Sequence, residues 1–359
     1  MTRLPSISLF DQQGVEQLRR EWKLDPSRIR SLRNTLLKRF ESDSLALEGF
    51  PAADRLLLHS LELFRRCDSS IDGATKLLLR TVAGMLIEAV ILRIETGRTT
   101  LCVSSQVGCA AACEFCATGK MGIARNLSTD EILDQVLLAG QLLAGEGRTL
   151  RNIVFMGMGE PFHNEDNLYR AVELLISPSF FNIAPTKVLV STVGVADAML
   201  RCVERFPKVN LALSLHSVRQ EVREKLIPLA TKFPLDQLHR TVAEANRRQS
   251  TSVMIEYLML AGVNDSQDDA RELAAWLSGL NVHVNLIPYN PIEDSPQLVG
   301  SDRETRLAFA KTVRDHGFKT TVRYSLGNDI AAACGQLVRR ENREMARGFA
   351  ISAHALRQT

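Results

Sequence analysis

Four of the seven cysteines in this chain lie between Cys102 and Gly119, in the stretch "CVSSQVGCAAACEFCATG". Cys109, Cys113 and Cys116 follow the spacing C-x-x-x-C-x-x-C, and Cys102 stands seven residues upstream of the first. Three thiolates this close in sequence can wrap one metal centre. Structural zinc takes four protein ligands, usually as two separated pairs. No further C-x-x-C or H-x-x-x-H pair is available to complete such a site. A 4Fe–4S cluster held by three cysteines leaves one iron without a protein ligand, open to a substrate. The spacing favours the cluster over zinc or unliganded thiols.

Other polar residues gather at the ends of apolar runs. "FMGMGEP" follows the run at 152–156, "STVG" follows 187–190, "SLHS" follows 210–213 and "YNP" follows 282–287. One such ending is an ordinary turn. Four in succession point to a site, provided the runs are strands of one sheet.

The flanking pattern supplies that sheet. Strands are expected at "TLCVSS", "NIVFMG", "KVLVST", "NLALSL", "VMIEYLML" and "HVNLIPYN". Amphipathic helices are expected between them at 128–144, 164–177, 195–206, 235–248 and 266–279. Six strands alternating with helices predict an α/β fold with a parallel sheet and right-handed crossovers. An open partial (β/α) barrel and a doubly wound sheet both fit, and in either the strand C-termini carry the ligands. Upstream, "MLIEAVILRI" and "TTLCVSS" predict two strands joined by a turn at "ETGR". Residues 1–80, with "DPSRIRSLRNTLLKRF" and "AADRLLLHSLELFRRC", read as helical and basic. The tail "RRENREMARGFAISAHALRQT" reads as a basic surface helix with an ill-determined end.

Composition narrows the class. With 45% hydrophobic and 24% charged residues, the chain matches ordinary globular proteins that need no disulfides. Apolar runs such as "VLLAGQLLAG" are too short to span a bilayer, and the N-terminus lacks a signal-peptide pattern. A cytoplasmic protein without membrane contact is expected. In that reducing compartment clustered cysteines are metal-binding or catalytic rather than stapled. The net charge of +3 permits an RNA partner without arguing for one.

The cysteine spacing before a partial barrel resembles the radical S-adenosylmethionine (SAM) superfamily, in which the open iron binds SAM and the cluster splits it to an adenosyl radical. "CVSSQVGC", "MGMGEP", "SLH", "VNLIPYNP" and "ACGQL" resemble, in order and spacing, the RlmN/Cfr family of radical-SAM RNA methyltransferases over about residues 84–340. The resemblance implies a partial (β/α)6 radical-SAM barrel, with an N-terminal helical accessory region and a β-extension. It divides the chain into an accessory, RNA-positioning region at 1–83, a catalytic barrel at 84–345 and a tail at 346–359. Cys109, Cys113 and Cys116 become the cluster ligands. Gly159, Glu160, Ser191, Ser214, Leu215, His216 and Asn290 become the SAM pocket, with Glu160 accepting from the amino group. Cys334 becomes the methyl-carrying cysteine, Cys102 its resolving partner and Glu88 of "IEAV" the proton acceptor.

The resemblance also implies a covalent relay that consumes two SAM molecules per turnover. Adenine C2 is electrophilic and cannot take a methyl from SAM directly. Cys334 therefore accepts the methyl first and becomes joined through it to the base. Cys102 then releases the product by forming a disulfide. The implied substrate is an adenosine of 23S rRNA, tRNA or both, with C2 preferred and Cfr-type C8 methylation the alternative. An electron donor such as flavodoxin and a monomeric state complete the expectation. Blander readings stand beside these: Cys102 and Cys334 as packing residues, the latter at an Ala-rich helix start; His216 as a hydrogen-bonded strand end; Glu88 as a solvent-facing carboxylate; Cys67 and Cys202 as structural. "RYSLGNDIAAAC" departs from the acidic run expected before the methyl-carrying cysteine, keeping Asp329 but not charge at Asn328 or Ala331. A radical-SAM enzyme with another substrate, or a non-catalytic iron–sulfur RNA-binding module, are the rival functions.

Overall fold

The computed structural model describes residues 6–51 and 53–337. The chain opens with β1 (Ile7–Ser8), α1 (Gln12–Glu21), α2 (Pro26–Arg33), α3 (Asp43–Leu47) and β2 (Leu56–Leu57). Three strands follow, β3 (Leu61–Asp68), β4 (Ala74–Thr81) and β5 (Leu86–Arg93), leading into β6 (Thr99–Cys102). A small hairpin of β7 (Gln106–Gly108) and β8 (Ile123–Asn126) brackets the cysteine loop and the short α4 (Ala117–Met121). Then come α5 (Thr129–Gly145), β9 (Asn152–Phe155), α6 (Glu165–Ile176), β10 (Val188–Thr192), α7 (Ala196–Arg205) and β11 (Asn210–Ser214). The chain continues through α8 (Gln220–Leu226), α9 (Leu235–Arg248), β12 (Val253–Met259), α10 (Gln267–Trp276), β13 (Val282–Pro288), α11 (Arg303–Asp315) and β14 (Lys319–Val322).

Ten strands form one open sheet in the order β14-β13-β12-β11-β10-β9-β6-β5-β4-β3. From β6 to β14 all pairs are parallel; from β6 back to β3 all are antiparallel. The sheet is thus a partial barrel with a β-extension on one edge. All six expected strands are present, and β14 adds a seventh parallel strand that the sequence reading did not contain. The parallel strands are buried on both faces, as in "VMIEYLM" of β12, because crossover helices cover the sheet. Capping boxes at Ser128/Glu131 and Ser266/Asp269 fix where α5 and α10 begin. No helix among the described residues is long and apolar enough to cross a membrane.

The helical reading of "AADRLLLHSLELFRRC" is corrected. Residues 61–68 are strand β3, paired antiparallel with β4 around a bulge between Leu63 and Arg65. Its leucines fit helical and extended spacing alike, and pairing with the buried "ATKLLLRT" of β4 decides between them. Among the described residues of this half, helix is confined to residues 12–47 and a single 3-10 turn at Ala53–Arg55. It is tied to the barrel through His59, whose Nδ1 meets Asp134 Oδ1 of α5 at 2.6 Å and whose Nε2 meets Asp43 Oδ2 at 3.0 Å. Asp134 Oδ2 also accepts from the backbone N–H groups of Ser60 and Leu61, both at 2.8 Å. Cys334 sits in a loop, not at a helix start, because Gly327, Ala331 and Gly335 all adopt positive φ there. The expected tail, 346–359, and the end of the barrel unit, 338–345, lie outside the described residues.

Candidate active site

The C-terminal ends of β9 to β12 and the cysteine loop after β7 enclose one cavity. Cys109, Cys113 and Cys116 all line it, together with Gly159, Glu160, Ser191, Ser214 and His216. The three thiols share the wall of that space and supply the three sulfurs that a 4Fe–4S centre with one open iron takes from the protein. Burial pushes Cys109 up to about 12, Cys113 well above an ordinary thiol and Cys116 upward. As thiols they are inert, so an iron–sulfur centre must displace their protons on binding. On these grounds the three cysteines fit a 4Fe–4S cluster.

Opposite them, Glu160 is buried, and both its oxygens face backbone donors. Oε1 accepts from Phe162 N–H at 3.1 Å and Oε2 from Val193 N–H at 2.9 Å. Burial raises its pKa to about 7 despite those bonds. Gly159 precedes it at φ 106°; a Cβ there would meet Gln106 Cβ at 2.7 Å, so glycine lets the strand end approach that side chain.

His216, at φ 60°, is both hydrogen-bonded strand end and cavity wall. Its Nδ1 accepts from Leu258 N–H at 3.0 Å, which leaves any ring proton on Nε2. Burial and the Arg223 charge push its pKa down to about 3, so the ring is neutral. Asn264 supports the turn, donating to the carbonyls of His216 at 2.6 Å and Leu258 at 2.7 Å. Leu215 is buried and continues the pairing, donating its N–H to Glu256 O at 3.0 Å. Asn290 does not line this cavity itself but donates to the carbonyl of Cys334, which does, at 3.2 Å.

A second cavity of about 720 Å³ lies between the parallel strands and the β-extension. Cys102, at the end of β6, and Cys334 both line it, and Cys334 also lines the first cavity. Both thiols are free, Cys102 buried and Cys334 exposed. Burial, with the nearby Cys334 charge, pushes Cys102 up to about 12. The Cys334 loop is held from both sides. Gly335 O accepts from Ala117 N–H, next to Cys116, at 2.7 Å. From the extension, Ser69 Oγ donates to Asp329 Oδ1 at 2.8 Å, Gly327 N–H to Asp72 Oδ2 at 2.8 Å and Lys76 Nζ to Ala331 O at 3.0 Å.

Glu88 is fully buried on β5, so the solvent-facing reading is corrected. Lys76 Nζ stands 3.8 Å from its Oε2. Glu88 thus shares Lys76 with the Cys334 loop, although it does not line either cavity. Cys202 is buried in α7 and Cys67 half-buried on β3, and neither lines either cavity.

Two further side chains, which the sequence does not single out, line the first cavity. Glu256 of β12 is buried in the first cavity, with Oε2 accepting from Asn285 at 2.8 Å and Oε1 unpartnered among the described residues. Arg323, just past β14, lines both cavities and faces Cys334, Glu256 and Cys102. A carboxylate inside the otherwise apolar "VMIEYLML" was the available signal for Glu256. Arg323 needed the seventh strand to be recognised.

Known proteins agree with this geometry. The model of the radical SAM superfamily matches residues 103–276. A Rhodopirellula baltica protein described as a probable RNA methyltransferase is 62% identical over 96% of this chain and 92% of its own length. A Thermus thermophilus protein described as a probable dual-specificity RNA methyltransferase RlmN is 43% identical over 75% of each chain. The crystal structure of a radical SAM methyltransferase from Sphaerobacter thermophilus superposes with a TM-score of 0.87 at 38% identity, covering 92% of this chain and 99% of that one. The chain belongs to the RlmN family of radical-SAM RNA methyltransferases, enzymes that work with a 4Fe–4S cluster and SAM.

Proposed function

We propose that this enzyme methylates carbon 2 of an adenosine in 23S rRNA, tRNA or both, through a methyl group carried on Cys334. The observation that carries the reading is the pair of joined cavities, with Cys334 on the wall of both and Cys102 on the second. When bound, the cluster and SAM supply the one-electron chemistry that activates the carried methyl. Cys109, Cys113 and Cys116 hold the cluster, and Glu160 accepts from the SAM ammonium. Ser191, Ser214, His216 and the adjoining Gly159, Leu215 and Asn290 shape the SAM pocket. The adenine enters the second cavity, beside Cys334. Glu88, charge-linked to Lys76, takes the ring proton. The Cys102 thiolate then attacks the Cys334 sulfur; an S–S bond forms, the carbon–sulfur bond breaks, and its electron pair passes to the methylene carbon on the base, which takes up a proton to become the product methyl. Arg323, facing both sulfurs, opposes the burial that holds Cys102 as a thiol.

The names of relatives as dual-specificity enzymes support two RNA classes for this chain. In this reading residues 1–83 help to position the RNA, 84–345 form the catalytic unit, and the monomer takes its electron from a flavodoxin-type donor.

The test is a pair of variants. Cys334→Ala has no methyl acceptor, so neither protein methylation nor RNA modification occurs. Cys102→Ala still accepts the methyl and joins the base but lacks the resolving thiolate, so a covalent RNA–protein adduct accumulates on denaturing gels. Nucleoside mass spectrometry of the wild-type product reads the ring position. Normal turnover by Cys102→Ala with no adduct would overturn the relay.

A further inference from the structure

Arg223 is a fully buried residue of α8. Its Nη2 donates to the carbonyl of Val193 at 2.6 Å, while Nε and Nη1 have no hydrogen-bond partner among the described residues. Val193 is the residue whose N–H holds Glu160. The helix carrying Arg223 docks on the cysteine loop: Glu114 N–H donates to Leu226 O at 2.9 Å, and Leu226 and Ile227 pack with Cys109 and Cys113. The negative charges that face the guanidinium are Cys113, once deprotonated, and Glu224. A guanidinium is not deprotonated in proteins, so Arg223 is a buried cation.

A buried guanidinium with two open N–H groups is unfavourable in isolation, and natural proteins retain such a group where another charge completes it. A 4Fe–4S cluster on three thiolates is that charge. It places net negative charge among thiols that burial alone would keep protonated, and reduction adds one charge more. We propose that Arg223 is the buried counter-charge of the cluster, offsetting the charge gathered at Cys109, Cys113 and Cys116 and raising the potential at which the cluster accepts its electron. The proposal rests on the reading of those three cysteines as ligands. Arg223 lines neither cavity and acts through the cluster, so it is a positioning residue. The same argument gives the metal-free protein the opposite sign: without the cluster, Arg223 is an unpaired buried cation that lowers stability.

The experiment is a redox titration of the reconstituted cluster, followed by electron paramagnetic resonance without SAM or RNA. Arg223→Met should shift the reduction equilibrium at least about tenfold towards the oxidised form, which is about 59 mV for one electron. Arg223→Lys, which keeps the charge, should stay near the wild-type value. Urea unfolding of the metal-free proteins should show Arg223→Met at least as stable as wild type. If loss of the Val193 bond prevents Arg223→Met from folding, Arg223→Gln keeps a donor without the charge and should show the same shift. An unchanged potential in the neutral variants overturns the proposal. So does an unchanged potential with weakened SAM binding, which would assign the guanidinium to the carboxylate of SAM. A wild-type protein that binds no iron overturns the ligand reading and this proposal with it; a normal wild-type cluster with an unshifted variant overturns this proposal alone.

Discussion

The two joined cavities are built by different means. The first is local: three of its thiols come from one loop within eight residues, and its other walls are successive strand ends of a parallel sheet. The second is assembled from distant parts. Cys102 ends β6, whereas Cys334 rides on a loop past β14, more than two hundred residues later, pinned by the β3–β4 turn. The first cavity therefore depends on residue identity at the loop and strand ends. The second depends on ties between segments far apart in sequence, and its chemistry is exposed to any slack in them. Substitutions in the two should separate cluster assembly from methyl transfer.

The largest effect belongs to the local cavity. Replacing Cys109, Cys113 or Cys116 by Ala should abolish cluster assembly and reductive SAM cleavage, because three ligands leave no spare. Iron and sulfide content after anaerobic reconstitution measures it, with circular dichroism showing that the fold remains. Full iron content in all three variants would remove the distinction between the cavities.

Glu160→Gln should leave the cluster in place and weaken SAM. A carboxylate facing an ammonium forms a charge-assisted hydrogen bond of about 1.5–3 kcal/mol, or about 10- to 100-fold in Kd. Equilibrium binding of SAM and of RNA to the reconstituted protein checks it, with RNA affinity expected to hold. Equal SAM affinity in the variant would show that Glu160 serves only its two backbone donors.

The same contrast explains what the sequence disclosed. The cysteine loop and the four polar strand ends were readable because motif and strand alternation lie in continuous stretches, and the parallel sheet places those ends side by side. The β3 segment was not, since "LELFRRC" satisfies helical and extended spacing, and only its partner β4 selects the strand. The Cys334 loop was misread as a helix start because alanine favours helix locally, while Gly327, Gly335 and the side chains of Asp72 and Lys76 hold it open. Glu256, Arg223 and Arg323 each look ordinary in sequence. Their meaning comes from being buried beside thiols contributed by other segments.

Loosening a long-range tie should hurt methylation without touching the cluster. Asp329 is exposed and accepts from Ser69 and Ser70, so Asp329→Ala removes a tether rather than a core group. Misplacing Cys334 by a fraction of its reach should lower RNA methylation about tenfold, in line with the sensitivity of reacting groups to position. Iron content and SAM cleavage should stay at wild-type levels. Parallel loss of SAM cleavage would show that the two cavities are not separable at this loop.

The smallest effect on catalysis concerns a tie outside both cavities. His59 joins the N-terminal helices to the barrel between Asp43 and Asp134. Burial opposes its charge, but the two carboxylates together outweigh it and raise its pKa from 6.5 to about 10. Between those values the folded protein holds one proton more than the unfolded chain. Stability from this group is therefore fully present below pH 6.5, declines by up to about 1.4 kcal/mol per pH unit above it and is gone past pH 10. His59→Gln should flatten that slope in urea unfolding measured from pH 6 to 10, after correction for groups common to both proteins. Since the tie bears on neither thiol pair nor cluster loop, SAM cleavage at pH 7 should be unchanged in the variant. A slope equal to wild type would mean that the N-terminal helices are held by their apolar contacts, among them Phe10 and Phe40 against Phe181, with the charged bridge adding nothing.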